Sequence, residues 1–374
     1  MNRIHLLVLM LIINTAIIAQ GFVEVSANNL SIDKKFNSVL NSANDDIFIG
    51  YSITTNTENM VTIGSYFIDD KEHGFCLRDM INNPNKYNRE FAENPKENNI
   101  NQNRHIFRII MNSSKNDFEP DSETAIIFHL SKDENNVDEF NDITICNLAL
   151  NVDFGSDRLY WLGNIDNSKS ANYLIKLFES TSDNERKEEL ISAIGMHKNQ
   201  QQVLSLLIDI ATDKSNNELR EESFYWLAYQ DNIEAFNTLK KILYSNESMD
   251  MREEALMGIA QMNIDESLNE IINIAKHSKD RQLREEAIMW LGEKAVKKAS
   301  EELRGFIEND PEIDIIKNAL YALSEHSGDN IPYFINLAKN HNSLTIRKNA
   351  IYILSESEDK RATDVLINLA SGNN

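Results

Sequence analysis

From about residue 155 to the C-terminus, apolar positions recur with the 3.6-residue period of amphipathic helices, and the segments carrying them repeat about every 32 residues. Seven segments align on a small residue: Gly163, Gly195, Ala228, Ala260, Gly292, Ser324 and Ser355. The spacings are 32, 33, 32, 32, 32 and 31. The residue before it is always branched and apolar, from Leu162 and Ile194 to Leu323 and Leu354. Four positions before it stand Leu159, Ile191, Phe224, Leu256, Ile288, Leu320 and Ile351, and most residues at five before are small. At eight before it the chain carries Lys187, Arg220, Arg252, Arg284 and Arg347. On a 100° wheel these columns fall on one face, which must pack inward. Each segment therefore reads as the second helix of a pair, and the first helices lie between them, as in Val203–Ala211, Ile233–Tyr244 and Ser267–Lys276. One pair cannot bury its apolar face, whereas a stack of pairs can.

The earlier part of the chain has another texture. Ile47–Thr54, Met60–Ile68, His105–Asn112, Thr124–Leu130 and Ile143–Phe154 are short, rich in β-branched and aromatic residues, and read as strands. Ser31–Ser42 reads as a short helix with Ser31 as its N-cap. Residues 82–104 are polar and Asn-rich and read as a long loop. The expected fold class is α+β in two domains: a β-rich N-terminal domain over residues 20–155, then an all-α solenoid over 156–374.

The repeats, typified by Arg284–Gly292 (REEAIMWLG), resemble short HEAT repeats of the phycobilisome-lyase-like type found in bacterial proteins. The resemblance covers roughly residues 156–372 and implies an armadillo-like helical solenoid. The stretch from Cys146 to Trp161-Leu162-Gly163 also resembles the junction in exported bacterial HEAT-repeat proteins, where a cysteine-bearing strand runs into a Trp-Leu-Gly element.

The columns that face away from the core carry the candidate function. Three positions before the small residue come Tyr160, Ser192, Tyr225, Met257, Met289, Tyr321 and Tyr352. Solvent-facing positions have no packing reason to be aromatic or Met, and Tyr and Met are favoured at protein-binding surfaces. In the HEAT architecture second helices line the concave face, so Tyr160, Tyr225, Met257, Met289, Tyr321 and Tyr352 would form a partner-binding stripe along it. The alternative is that neighbouring helices half-bury these stems. Beside the stripe runs an acidic flank, Glu221-Glu222, Glu253-Glu254 and Glu285-Glu286, preceded by Glu188-Glu189 and followed by Lys317-Asn318 and Lys348-Asn349. Acid near a helix N-terminus complements the macrodipole, but that does not explain the change of sign near residue 310. The arginine column reads as structural, pairing with acids of the adjacent repeat. Trp161, Trp226 and Trp290 alternate with small residues and read as packing side chains.

Composition adds limits. The 374-residue chain carries a formal charge of −22, which disfavours nucleic acid and suits a protein partner with a basic surface. Residues 1–19 read as a signal peptide: Arg3 and His5, then the apolar run Leu6–Ile18, with cleavage expected after Ala19. The chain is thus expected to be exported, periplasmic or extracellular, with no membrane insertion after cleavage. Export permits a disulfide between the two cysteines, Cys76 and Cys146; two free thiols are the alternative.

Catalytic motifs are absent from the sequence: no nucleophile elbow, phosphate loop, dinucleotide fingerprint, zinc motif or paired His-Glu dipeptides. His73 with Cys76 lacks a third orienting group, and the acidic run Asp133–Asp142 does not match an EF-hand. No catalytic residue, metal or cofactor is assigned. The expected function is a non-catalytic protein-interaction scaffold in the bacterial envelope. The alternative is an enzyme whose active site lies where the β-rich part meets the solenoid, near Trp161.

Overall fold

The run Ile47–Thr54 is buried at seven of its eight positions, on both side-chain parities, because it is the central strand of a sheet covered on both faces. The computed structural model describes residues 21–26, 30–43, 45–55, 66–68, 75–93, 108–111, 121–131, 140–155, 157–326 and 328–371. The expected signal segment lies outside them. Two units form, Met1–Leu207 and Ile208–Asn374.

In the first unit a five-stranded sheet has the order β1-β9-β2-β6-β7, from β1 (Phe22–Glu24), β2 (Ile47–Thr54), β6 (Glu123–Leu130), β7 (Asp142–Asn147) and β9 (Arg158–Asn164). Strand β9 runs parallel to both β1 and β2, while β6 is antiparallel to β2 and β7. A second sheet has the order β3-β5-β8-β4, from β3 (Tyr66–Ile68), β4 (Phe75–Cys76), β5 (Arg108–Met111) and β8 (Asn151–Asp153). One core gathers Phe48, Ala125, Ile127, Cys146, Leu159 and Trp161 from the first sheet with Ile109 and Val152 from the second. Helices α2 (Leu77–Asn82) and α3 (Pro84–Glu93) close it with Leu77, Met80 and Tyr87. Gly50 is required there: a Cβ would stand 3.1 Å from the Trp161 ring and from Ile127. The other sheet face meets α1 (Ile32–Leu40) and α4 (Asn167–Ser180), with Phe36 edge-on to Phe128 at 5.3 Å.

Two expectations are corrected here. Leu159–Gly163, aligned above as a repeat helix, is strand β9. Its five residues match the repeat locally, but parallel pairing with Phe22–Glu24 and Ile47–Gly50 holds the backbone extended. Tyr160 therefore lies on a buried strand, 7% exposed, and leaves the stripe. The Asn-rich stretch is also not wholly a loop. Helix α3 occupies Pro84–Glu93, with proline at its start, where a missing N–H costs nothing; residues 94–104 lie outside the described residues.

From Asn167 to Ala370 the described residues form a succession of helices joined by short turns, the arrangement of an α-solenoid. Helices α4, α5 (Asn184–Gly195) and most of α6 (Gln201–Thr212) belong to the first unit. The second unit holds the remaining pairs. Its second helices are α7 (Asn217–Tyr229), α9 (Met249–Gln261), α11 (Arg281–Glu293), α13 (Ile313–Glu325) and α15 (Leu344–Glu356). Its first helices are α8 (Ile233–Leu243), α10 (Asp265–His277), α12 (Lys297–Asn309) and α14 (Ile331–Asn340), and α16 (Lys360–Ala370) ends the array. Polar caps set several helix starts: Asn216, Asn232, Ser248 and Asp280 each accept a backbone N–H of the first turn.

The small-residue column exists because adjacent layers touch there. A Cβ on Gly292 would come within 2.7 Å of the Ala322 carbonyl oxygen and 3.0 Å of its Cα. The arginine column staples consecutive loops. Arg220, Arg252 and Arg284 each donate Nε to a carbonyl at the end of the preceding helix, on Ala211, Leu243 and Ala275, at 2.9–3.1 Å. The same guanidinium groups reach acids of the next loop: Glu247, Asp280, and Asp310 with Glu312.

Candidate functional site

The second helices of the second unit lie side by side, α7 on α9, α9 on α11, α11 on α13 and α13 on α15. Their inward columns are closed from α7 to α13, where Phe224, Leu227, Leu256, Ile259, Ile288, Leu291, Leu320 and Leu323 are at most 1% exposed; on α15 Leu354 is buried, but Ile351, expected to face inward, is 37% exposed because few neighbours remain at that end of the array. Each buried side chain of these columns stabilises the stack by roughly 1.5–3 kcal/mol. The outward column is open: Tyr225 is 43% exposed, Met289 39%, Tyr321 54% and Tyr352 63%, and Met257 is half-buried. A row of five large side chains thus runs across α7, α9, α11, α13 and α15 on the face turned away from the core.

Charge is laid along the same face. Glu221, Glu253 and Glu285 stand one helical turn before Tyr225, Met257 and Met289, so each acid neighbours one member of the row. Exposed Lys317 and Lys348 take the equivalent place before Tyr321 and Tyr352. The second acid of each pair plays another part. Trp226 Nε1 donates to Glu222 at 2.8 Å and Trp290 Nε1 to Glu286 at 2.9 Å, which locks both indoles against their own helices. Partial burial raises the Glu254 carboxyl above its ordinary range, and Glu221, Glu286 and Glu253 raise it further. Glu253 is raised as well, by burial first and then by Glu286, Asp250 and Asp280, against a hydrogen bond from Gln282. Arg281 marks the change of sign, bridging Glu285 at 2.7 Å and Asp314 at 2.8 Å.

The first unit contains polar groups that sequence reasoning missed. Tyr51, Ser170 and His197 form a buried chain joining β2, α4 and the turn after α5. His197 Nδ1 lies 3.1 Å from the Ile194 carbonyl, so it carries the proton. Nε2 then accepts from the Ser170 hydroxyl at 2.8 Å, and Ser170 accepts from the Tyr51 hydroxyl at 2.9 Å. Burial pushes the His197 pKa down to about 4 and raises that of Tyr51. Glu189 on α5 is pushed up to about 8, chiefly by burial and then by Asp142, and its Oε2 has no hydrogen-bond partner among the described residues. No local motif announces either arrangement, because the partners stand 27 to 119 residues apart in the chain.

The other candidates separate. Cys146 is fully buried in β7, with burial pushing its thiol up to about 12. Cys76 Sγ faces the carbonyls of Leu148 and Ala149 at 3.8 and 3.7 Å, and both cysteines are free. His73 and most of Asp133–Asp142 lie outside the described residues. Among those described, no three His, Cys, Asp or Glu side chains are grouped to hold a metal ion. No described helix is long and apolar enough to cross a membrane. Trp161, expected near a junction site, is 3% exposed within the sheet core.

No family model matches the chain, and no curated protein matches it. Among solved structures it is similar to a chain of the complex of CpcE and CpcF of phycocyanin lyase from a Nostoc species. The identity is 16% and the TM-score 0.30, over 41% of this chain and 97% of that one. It is also similar to human deoxyhypusine hydroxylase, at 12% identity and TM-score 0.24, over 54% of this chain and 78% of that one. One expectation is corrected by these neighbours. Both are enzymes by name, so a helical repeat stack gives no ground for the non-catalytic assignment made from the sequence.

Proposed function

We propose that this chain is an exported repeat protein that binds a protein partner on the outer face of α7, α9, α11, α13 and α15. The observation that carries the reading is the row Tyr225, Met257, Met289, Tyr321 and Tyr352, large side chains of which four are exposed and Met257 half-buried. Tyr and Met supply adaptable contact area at protein interfaces. The partner's surface is basic where it meets α7–α11, because Glu221, Glu253 and Glu285 stand one turn from the row there. Export rests on the Leu6–Ile18 leader, and N-terminal sequencing of the secreted chain should begin at Gln20.

The test is a variant with Tyr225, Met289, Tyr321 and Tyr352 all changed to Ser. Its thermal midpoint should stay within about 2 °C of the parent, since exposed substitutions change stability little. Photo-crosslinking from position 321 in cells should give a protein adduct that disappears when the other three positions are Ser. A variant that unfolds would show that the row is core, and an adduct that persists would show that it is not the contact.

A further inference from the structure

The sign change along the outer face says more than that a partner binds. It specifies how charge is arranged on the partner. A large side chain stands at this column on each of α7, α9, α11, α13 and α15, with Met257 the least exposed, so one occupant can follow the column from end to end. Beside that row the charge does not alternate. It is negative over α7, α9 and α11, at Glu221, Glu253 and Glu285. It is positive over the last two, at Lys317 and Lys348. Arg281, bridging Glu285 to Asp314, sits between the two halves. On the negative side, the charges that act on Glu254 are all acidic. On the positive side Lys348 is exposed, while Lys317 is shared with Asp314 at 3.0 Å. The negative half is therefore the stronger determinant and the positive half the weaker.

Packed helices stand about 8–10 Å apart, so five in a row span roughly 32–40 Å. An extended chain covers about 3.3 Å per residue, so about a dozen residues would follow the row. Resting on the protein-binding reading above, we infer that the occupant is one extended protein segment of about a dozen residues whose charges are segregated, lysine or arginine over α7–α11 and acid over α13–α15. Apolar side chains of that segment meet the Tyr/Met row. The occupant need not have a fixed chain direction, because both ends are recognised by charge.

The test uses the full mature chain and three labelled twelve-residue peptides, read by fluorescence anisotropy at two salt concentrations. One peptide has four lysines in its first half and four glutamates in its second, with four leucine/serine residues spread along its length. Its isomer has the same composition with the charges alternating. The third has lysines at every charged position. The block peptide should bind at least about tenfold tighter than its isomer, and its advantage should shrink as salt rises. The K317E/K348E double variant should lose that advantage and favour the all-lysine peptide. A control reversing Glu234, Glu266 and Glu301 to Lys, exposed on the first helices, should leave the preference intact.

Equal binding of block and alternating peptides overturns the segregated segment. So does parental affinity for the all-lysine peptide that matches that for the block peptide. The variant with four Ser substitutions separates the two levels. If the isomers bind alike to the parent and are both lost in that variant, the surface stands and the segregation fails. If that variant binds all three like the parent, the surface reading fails as well. Concentration-dependent self-association that disappears in the same variant would make a second copy the occupant, and would also overturn the inference.

Discussion

Helices α5 and α11 begin alike, with a base followed by Glu-Glu: Lys187-Glu188-Glu189 in the first unit and Arg284-Glu285-Glu286 in the second. The last acid of each has a different fate. Glu286 accepts the indole N–H of Trp290 on its own helix and stays at the surface. Glu189 faces Asp142 at the start of β7, loses water, and keeps its proton to about pH 8. One repeat unit thus produces an open charged face where only other helices are its neighbours, and a proton-holding buried contact where a sheet covers it. The contrast teaches that the environment, rather than the repeat itself, decides whether an acid pair is available to a partner.

The sharpest way to break the contrast is at an arginine that belongs to the array alone. Arg220→Ala leaves the Ala211 carbonyl uncapped and Glu247 without its buried partner, and should cost about 3–5 kcal/mol. Urea denaturation followed at Trp226 measures it; a loss below about 1 kcal/mol would mean that water replaces the guanidinium. In the first unit, His197→Ala leaves Ser170 and Tyr51 short of a partner and opens a cavity, at a cost of about 2–4 kcal/mol. Hydrogen exchange should show the loss in β2 and α4. Gly292→Ala forces α11 from α13, at about 1–3 kcal/mol, read as a lower thermal midpoint.

The pH dependence separates the units further. His197 has its folded pKa lowered to about 4, so its contribution is complete above the ordinary imidazole range and is lost as pH falls toward 4. Glu189 has its folded pKa raised to about 8, so its contribution is complete below the ordinary carboxylate range and is lost as pH rises through 8. Glu189→Gln should therefore flatten the fall in stability between pH 4.5 and 8, and His197→Gln the acid fall between pH 6.5 and 4. Parallel curves for parent and variant would remove the assigned group. The smallest effect is expected on the outer face, where Tyr321→Ser should change stability by no more than about 0.5 kcal/mol.

Much of this was legible in the residues. The 32-residue period, the inward columns and the outward row need only local spacing, and helices obey local spacing. The strand Ile47–Thr54 was read with its observed limits, because β-branched density and flanking polar residues are local signals too. The misreading at Leu159–Gly163 has the same origin: its Leu-x-x-Leu-Gly spacing is a true local match, overruled by strands more than 100 residues away. The Tyr51–Ser170–His197 chain and the orphaned Glu189 oxygen were invisible for that reason. Each depends on which segments the sheet brings together.

The arginine staples have a consequence for how such a chain can change its length. Each guanidinium is completed by an acid 26 to 28 residues later, in the following unit. Duplicating a whole unit copies an arginine and supplies the next acid at once, so a longer array inherits every bond. Cutting at any other phase strands a charge. Where the column carries Ile316 the staple is missing, and Arg347 donates to the His341 and Asn342 carbonyls, so the phase is fixed by ion pairs over α7, α9 and α11 and is freer toward the C-terminal end.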